Sequence, residues 1–420
     1  MMLFKTLENG RTGGSSVNKD CKVTISAQDE RSNWKALLTG SLAHFIHDGF
    51  TDMLYVFFPI WQAKWALTFV EVGLLKTLVS GSMAMFQLPI GVVANRIGQV
   101  RLLLVGTIIT TLAVMLWGWA VSPILLGLLL IVGGLGSSVQ HPVSSSLISD
   151  AYSEVKTRRT ALSTYNVAGD IGKLILPGLA AFLIAYTDWK SASYLLALFG
   201  LFVTLILFIS TLGNRLPDSS FPVVRAQQNR SDILLGWNGY QAFWSLAMIG
   251  VIDSATRMGF LTFLPFLLQE KGADVTQIGL ALTLIFAGGV IGKLVCGIMA
   301  IRLGVLRSVV VTEGITALCI CGVVSLSLGN SLLLAPFLGL ALNGTSSVLY
   351  GSVPELVSEE HRKQAFSIFY TVTLGSGAVS PIIYGILSDC VGIKITVVMV
   401  AMVVLVAIPL TLPLRGKLVD

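Results

Sequence analysis

Eight side chains in this sequence have the types and spacing to hold an ion or move a proton. His47, Asp48 and Asp52 lie in one apolar stretch, and the two acids, at i, i+4, share one face if that stretch is helical. Asp253 and Arg257 repeat the spacing in a second stretch, and Asp170 and Lys173 stand at i, i+3 in a third. His141 precedes Pro142 and a run of serines, where the proline leaves a helical carbonyl without its donor.

Each charged group set in apolar sequence costs about 3 kcal/mol at the centre of a bilayer unless it is paired or hydrated, so such groups are few and informative. Asp253 and Arg257 admit two readings. Either they form an intrahelical ion pair that neutralises both, or Arg257 holds an anionic substrate while Asp253 or Asp48 exchanges a proton. The second works because the proton affinity of a buried carboxylate changes as a neighbouring cation comes or goes. Asp170 and Lys173 admit the same pair of readings, with the salt bridge favoured. His47, beside Asp48, reads as a proton relay and His141 as a hydrogen-bonding group for substrate. His44 reads as a packing residue, Lys76 and Lys293 as side chains snorkelling to an interface, and Glu313 has no assignment. No cysteine or histidine spacing describes a metal centre, and no cofactor is expected.

The elements that position these groups follow from composition. With 54% hydrophobic and 12% charged residues, the chain lacks the polar groups to cover a water-soluble surface. Its apolar runs, each of about 20 residues and so long enough to cross roughly 30 Å of hydrocarbon as a helix, number twelve. They are continuous rather than alternating, which excludes a β-barrel. The expected fold is all-α and integral to the membrane, with twelve transmembrane helices.

The second half repeats the first. Gly91, Arg96, Gly98 and Arg101 return at the same spacing as Gly297, Arg302, Gly304 and Arg307, and the same offset carries Gly73 onto Gly279, Thr77 onto Thr283 and Pro59 onto Pro265. A near-equal offset carries Asp48 and Asp52 onto Asp253 and Arg257, at equivalent depth in two related helices. Two pseudo-symmetric six-helix bundles, with a site between them reached alternately from each side, account for the pattern. The expected organisation is a disordered cytoplasmic tail over 1–34, bundles over 35–213 and 240–414, a central cytoplasmic linker over 214–239 and a cytoplasmic C-terminus over 415–420. Most of the 28 Lys and Arg fall in the termini, the linker and the loops on the same side, which orients both termini to the cytoplasm of an inner membrane. The net charge of +6 therefore reflects topology, and no stretch points to nucleic acid.

The loop G-V-V-A-N-R-I-G-Q-V-R from Gly91 to Arg101, with a degenerate copy from Gly297 to Arg307, sits after the second and eighth helices and resembles the signature of the major facilitator superfamily. The resemblance covers residues 35 to 414. Gly91 would let the second helix approach a neighbour, and the arginines would lie among headgroups near helix C-termini. Asn95 stands where the family usually has Asp, and Ile301 stands there in the second copy, so a charged latch at this loop is not expected of either. The run A-H-F-I-H-D-G-F-T-D from Ala43 to Asp52, the run F-V-E-V-G-L-L-K-T from Phe69 to Thr77 and the run G-S-S-V-Q-H-P-V-S-S-S from Gly136 to Ser146 are similar to the fosmidomycin-resistance type of facilitator. That resemblance implies an inner-membrane drug exporter working in exchange for protons.

Enzyme motifs are weak. Gly169 to Lys173 and Gly289 to Lys293 end like a phosphate-binding loop, but no Ser or Thr follows the lysine and both lie in apolar helices. The expectation is a secondary transporter, not an enzyme, exporting a small, anionic organic compound in exchange for protons as a monomer in lipid. A proton-coupled uptake symporter and a transporter-derived sensor or scaffold remain as alternatives.

Overall fold

A computed structural model describes residues 27–87, 89–212 and 240–418. The linker expected over 214–239 and most of the expected tail lie outside them. Helices run in the order α1 (Ala27–Asp52), α2 (Leu54–Trp65), α3 (Phe69–Gln87), α4 (Ile90–Ile97), α5 (Gln99–Trp117), α6 (Pro123–Ser137), α7 (Gln140–Ala151), α8 (Val155–Tyr186) and α9 (Trp189–Thr211) in the first half. The second half holds α10 (Tyr240–Glu270), α11 (Val275–Leu303), α12 (Val305–Ser325), α13 (Leu328–Ser352), α14 (Arg362–Val391) and α15 (Ile393–Leu405). No strand occurs among the described residues. Among the described residues, eleven helices or nearly continuous helix pairs are long and apolar enough to cross a membrane. The twelfth crossing is α1 with α2, broken at Met53.

Helix α1 begins at Ala27, inside the segment read as a tail. Hydropathy marks the hydrocarbon slab, whereas a helix satisfies its own backbone and can continue past it. The break between α6 and α7 lies one turn before Pro142, which has no N–H to offer the Ser138 carbonyl. Large apolar side chains such as Leu294, Leu318 and Leu333 point outward and stay exposed, as lipid contact requires. Trp61, Trp65, Trp117 and Trp189 pack together at one end, Trp61 and Trp117 in the core, with Lys64 above the rings of Trp65 and Trp189.

The duplication is visible in the backbone. Gly98 and Gly304, equivalent in the two halves, both have positive φ, 92° and 81°, and each starts the next helix, which is why glycine stands at both places. The halves meet along two equivalent seams, α3 with α14 and α8 with α11. The Thr77 hydroxyl donates to the Ala378 carbonyl on the first seam at 2.6 Å, and its counterpart Thr283 donates to the Leu174 carbonyl on the second at 3.2 Å. Glycines allow this approach: a Cβ at Gly73 would overlap the Pro381 carbonyl, and one at Gly279 would overlap Ala181. The end where α3 and α11 begin, called here the far face, is sealed between the halves by Phe69 against Phe263 and Phe266, and deeper by the Tyr55 hydroxyl on the Met258 sulfur. Toward the opposite, basic face, where α1 begins, Thr160, Ser163, Thr164 and Val167 of α8 line an open groove.

Candidate functional site

Asp48 is the centre of a cluster built from three elements. It lies on the inner side of α1, buried, and its Oδ2 meets the Lys173 Nζ of α8 and the His44 Nε2 of α1, each at 3.1 Å. Its Oδ1 is 3.7 Å from His47 Nε2 and 3.8 Å from His141 Nε2, the latter carried in by the first turn of α7. Three imidazoles therefore turn the same nitrogen toward one carboxylate. Tyr165 of α8 holds two of them: its carbonyl lies 2.9 Å from His44 Nδ1, its ring stacks on His44 at 4.1 Å, and its hydroxyl is 3.4 Å from His141 Nδ1. The side chains of His141 and Lys173 keep 38% and 33% of their surface exposed, so the cluster is reachable from the space between the halves.

These contacts constrain the proton inventory. A carbonyl only accepts, so His44 Nδ1 donates to Tyr165 and carries a hydrogen. An unprotonated Nε2 would then set its lone pair against a carboxylate oxygen 3.1 Å away. A proton on either atom removes the conflict, so the arrangement suits a cluster holding one proton. Gly169 allows it, because a methyl there would lie 2.5 Å from His44 Cε1 and 2.8 Å from Asp48 Oδ2. His44, Asp48 and His141 also offer donor atoms within 4.8 Å of one another, a set that suits a divalent transition metal by type. The Lys173 ammonium already supplies the cation beside Asp48.

Several sequence expectations change here. Asp170 and Lys173 do not pair with each other. Lys173 turns to Asp48, while Asp170 takes Lys293 of α11 across the seam, with Nζ at 2.6 and 2.7 Å from its two oxygens. Residues at i, i+3 on α8 point to neighbours on different helices, and closer partners win. Lys293 therefore does not snorkel. Lys76 does not either: it is fully buried, its Nζ 4.5 Å from the centre of the Tyr55 ring and without a hydrogen-bond acceptor. His44 is a member of the site rather than packing. Its spacing of four from Asp48 was the available signal, and the same i, i+4 rule applied to the acids would have found it.

In the second half, none of the ion pairs among the described residues joins Asp253 to Arg257. Both line a cavity with Ser254, Tyr350 and Thr373, and the Arg257 Nε is buried without a hydrogen-bond partner among the described residues. Glu313 of α12, unassigned by sequence, is buried within electrostatic reach of Asp253 and Arg257. Asp52 ends α1 between the halves, with Lys173, Lys76 and Arg257 as its cationic neighbours.

The loop residues Arg96, Arg101, Arg302 and Arg307 are exposed and form no ion pair among the described residues. A Cβ at Gly297 would meet nothing, so that glycine marks no close approach. The first loop is tied to α7 by Gln99, whose amide donates to Asp150 at 3.0 Å; neither residue was singled out from sequence.

The sequence matches the Major Facilitator Superfamily over residues 40–247 and again over 246–418. The probable sulfoacetate transporter SauU of Cupriavidus necator is 23% identical over 357 residues, which span 80% of this chain and 82% of that protein. The fosmidomycin resistance protein of Escherichia coli is 28% identical over 175 residues, 41% of this chain and 42% of that one. Among solved structures, a bacterial homologue of the human lysosomal transporter Spinster, inward-facing and occupied, aligns with a TM-score of 0.74 at 17% identity over 91% of this chain and 98% of its own. A mutant of the nucleoside transporter NupG gives a TM-score of 0.71 at 14% identity, over 91% of this chain and 100% of its own.

Proposed function

The chain belongs to the Major Facilitator Superfamily, and from that premise we propose that it carries a small organic anion across the membrane together with a proton. The ion pair between Asp48 and Lys173 carries this reading. Without a proton, the acid and the lysine cancel and the cluster has no net charge to offer an anion. With one proton on Asp48 or His44 its net charge is one positive unit, and Lys173 is free to face the cavity. Proton and anion then favour each other's binding, which is the thermodynamic condition for moving in the same direction. Arg257, across the space between the halves, is the second cation for the substrate, and His47 and His141 relay the proton. The Asp170–Lys293 pair belongs to the seam and positions α8.

The substrate class is supported by the sulfoacetate relative, since sulfoacetate is itself a small organic anion. In a cell with an inward proton gradient the direction is uptake, the protein sitting as a monomer in the inner membrane with both termini in the cytoplasm. A second reading, export in exchange for protons, is favoured by the likeness to the fosmidomycin resistance protein.

Proteoliposomes with a trapped pH dye separate the two. Acidification of the lumen as external sulfoacetate or another small sulfonate enters supports symport. Lumenal alkalinisation on anion entry overturns it in favour of exchange, and absence of any anion-evoked proton flux overturns both. Asp48→Asn should free Lys173 permanently: anion counterflow persists, while proton-driven accumulation is lost. Lys173→Gln should lose both.

A further inference from the structure

We propose that Lys76 is a second anion-binding site, the one that serves the far face when the protein opens there; this rests on the anion-transport reading above. The side chain is wholly buried, and its ammonium lies over the face of Tyr55 with no hydrogen-bond acceptor among the described residues. An ammonium loses much of its hydration on burial, and an aromatic face returns part of that through the ring quadrupole while leaving all three donors unused. A purely structural cation would be expected to have acceptors. Unused donors on a buried intramembrane cation are instead capacity for a ligand that is absent in this conformation.

Its position says when the ligand arrives. Lys76 lies on α3 between Gly73 and Thr77, the residues that press against α14, and Tyr55 beside it reaches Met258 of the other half. These contacts are the deeper part of the seal, so parting the halves at the far face uncovers Lys76 once the Phe69 contacts have opened. Asp52, at the end of α1, has both Lys76 and Lys173 among its electrostatic neighbours. An anion released from Lys173 as the seal opens therefore has a cation next along its path. Asp52, a neighbour of both lysines, keeps either from retaining it.

The test is sidedness. Uptake of a radiolabelled small sulfonate would be measured in right-side-out and in everted membrane vesicles, which present opposite faces. Lys76→Gln should raise the half-saturating concentration at least tenfold for anion offered at the far face and less than twofold at the basic face. Lys76→Arg, which keeps the charge, should restore far-face affinity and controls for a folding defect in the glutamine variant. Equal shifts at the two faces, no shift, or equal loss in Lys76→Arg would overturn the proposal while leaving the transport reading intact. Absence of saturable sulfonate uptake by the wild type would overturn both.

Discussion

The carboxylate of Asp389, near the end of α14, caps Phe69 at the start of α3 in the opposite half. One oxygen accepts from the Phe69 amide at 2.8 Å and the other from the Val70 amide at 2.9 Å. The first turn of a helix leaves its amides without intrahelical partners, and an acid there also meets the positive end of the helix dipole. At the equivalent place in the second half, Asp274 caps its own helix α11 through a capping box. Both helices are capped from within, since in the first half the Thr68 amide donates to Glu71 at 2.8 Å and the Glu71 amide to the Thr68 hydroxyl at 3.3 Å; α3 alone has a further cap from its neighbour, and that one is lost when the far face opens.

Asp389→Ala should therefore shift the protein toward the far-open state. Loss of an N-cap costs about 0.5–2 kcal/mol, which corresponds to roughly a 2- to 30-fold change in the open-to-closed ratio. Spin labels at the exposed positions Leu74 and Ile386 would report it as a larger population at long distance. Adding Thr68→Asp, which puts at the start of α3 the acid that Asp274 supplies to α11, should recover thermal stability without recovering the short distance. An unchanged distance distribution in Asp389→Ala would show that the cap does not latch the face.

The Asp170–Lys293 pair joins α8 to α11 but leaves the Lys293 side chain 39% exposed, so solvent screens part of its attraction. Removing either charge is expected to cost about 1 kcal/mol. The reversed pair, Asp170→Lys with Lys293→Asp, should return most of it in a double-mutant cycle read by thermal unfolding in detergent. Additive losses would mean the two residues act independently.

Gly169→Ala tests the assembly of the proton-holding cluster. A methyl 2.6 Å from His44 Nε2 must displace His44 or Asp48, and proton-driven accumulation is expected to fall at least tenfold. Gly375→Ala, on the equivalent helix of the other half where a Cβ meets nothing, should be close to neutral. The comparison fails if both variants transport alike at equal expression.

Outside the membrane, the hydroxyl of Thr276, followed by the amide of Gln277, holds the Asp274 carboxyl below the usual carboxylate range. A depressed folded pKa contributes stability that is present above the unfolded pKa of about 3.9 and disappears as pH falls through the folded value. The melting temperature of Asp274→Asn should therefore lie below wild type at pH 7 and converge with it in the acid range below about 4. A gap that persists unchanged through that range would place the contribution in packing rather than in the charge.

The twelve crossings and the duplication were legible in the chain because both are one-dimensional properties. A run of apolar residues reports its length, and a repeat reports its offset, without reference to any neighbour. Asp48 was legible for a related reason, since a charge in apolar sequence is conspicuous wherever its helix goes. Partners were not legible. Asp170 and Lys173 share a helix but answer to α11 and α1, and His44 differs from a packing histidine only because Tyr165 and Asp48 stand at its two nitrogens. Lys76 looked like an interfacial lysine until α14 and Tyr55 closed over it. Sequence determined which charged groups would stand within apolar helices. Only the tertiary structure decided which pairs meet, because pairing depends on the rotation of each helix about its axis and on which neighbour it packs against, and neither quantity is carried by spacing along one chain.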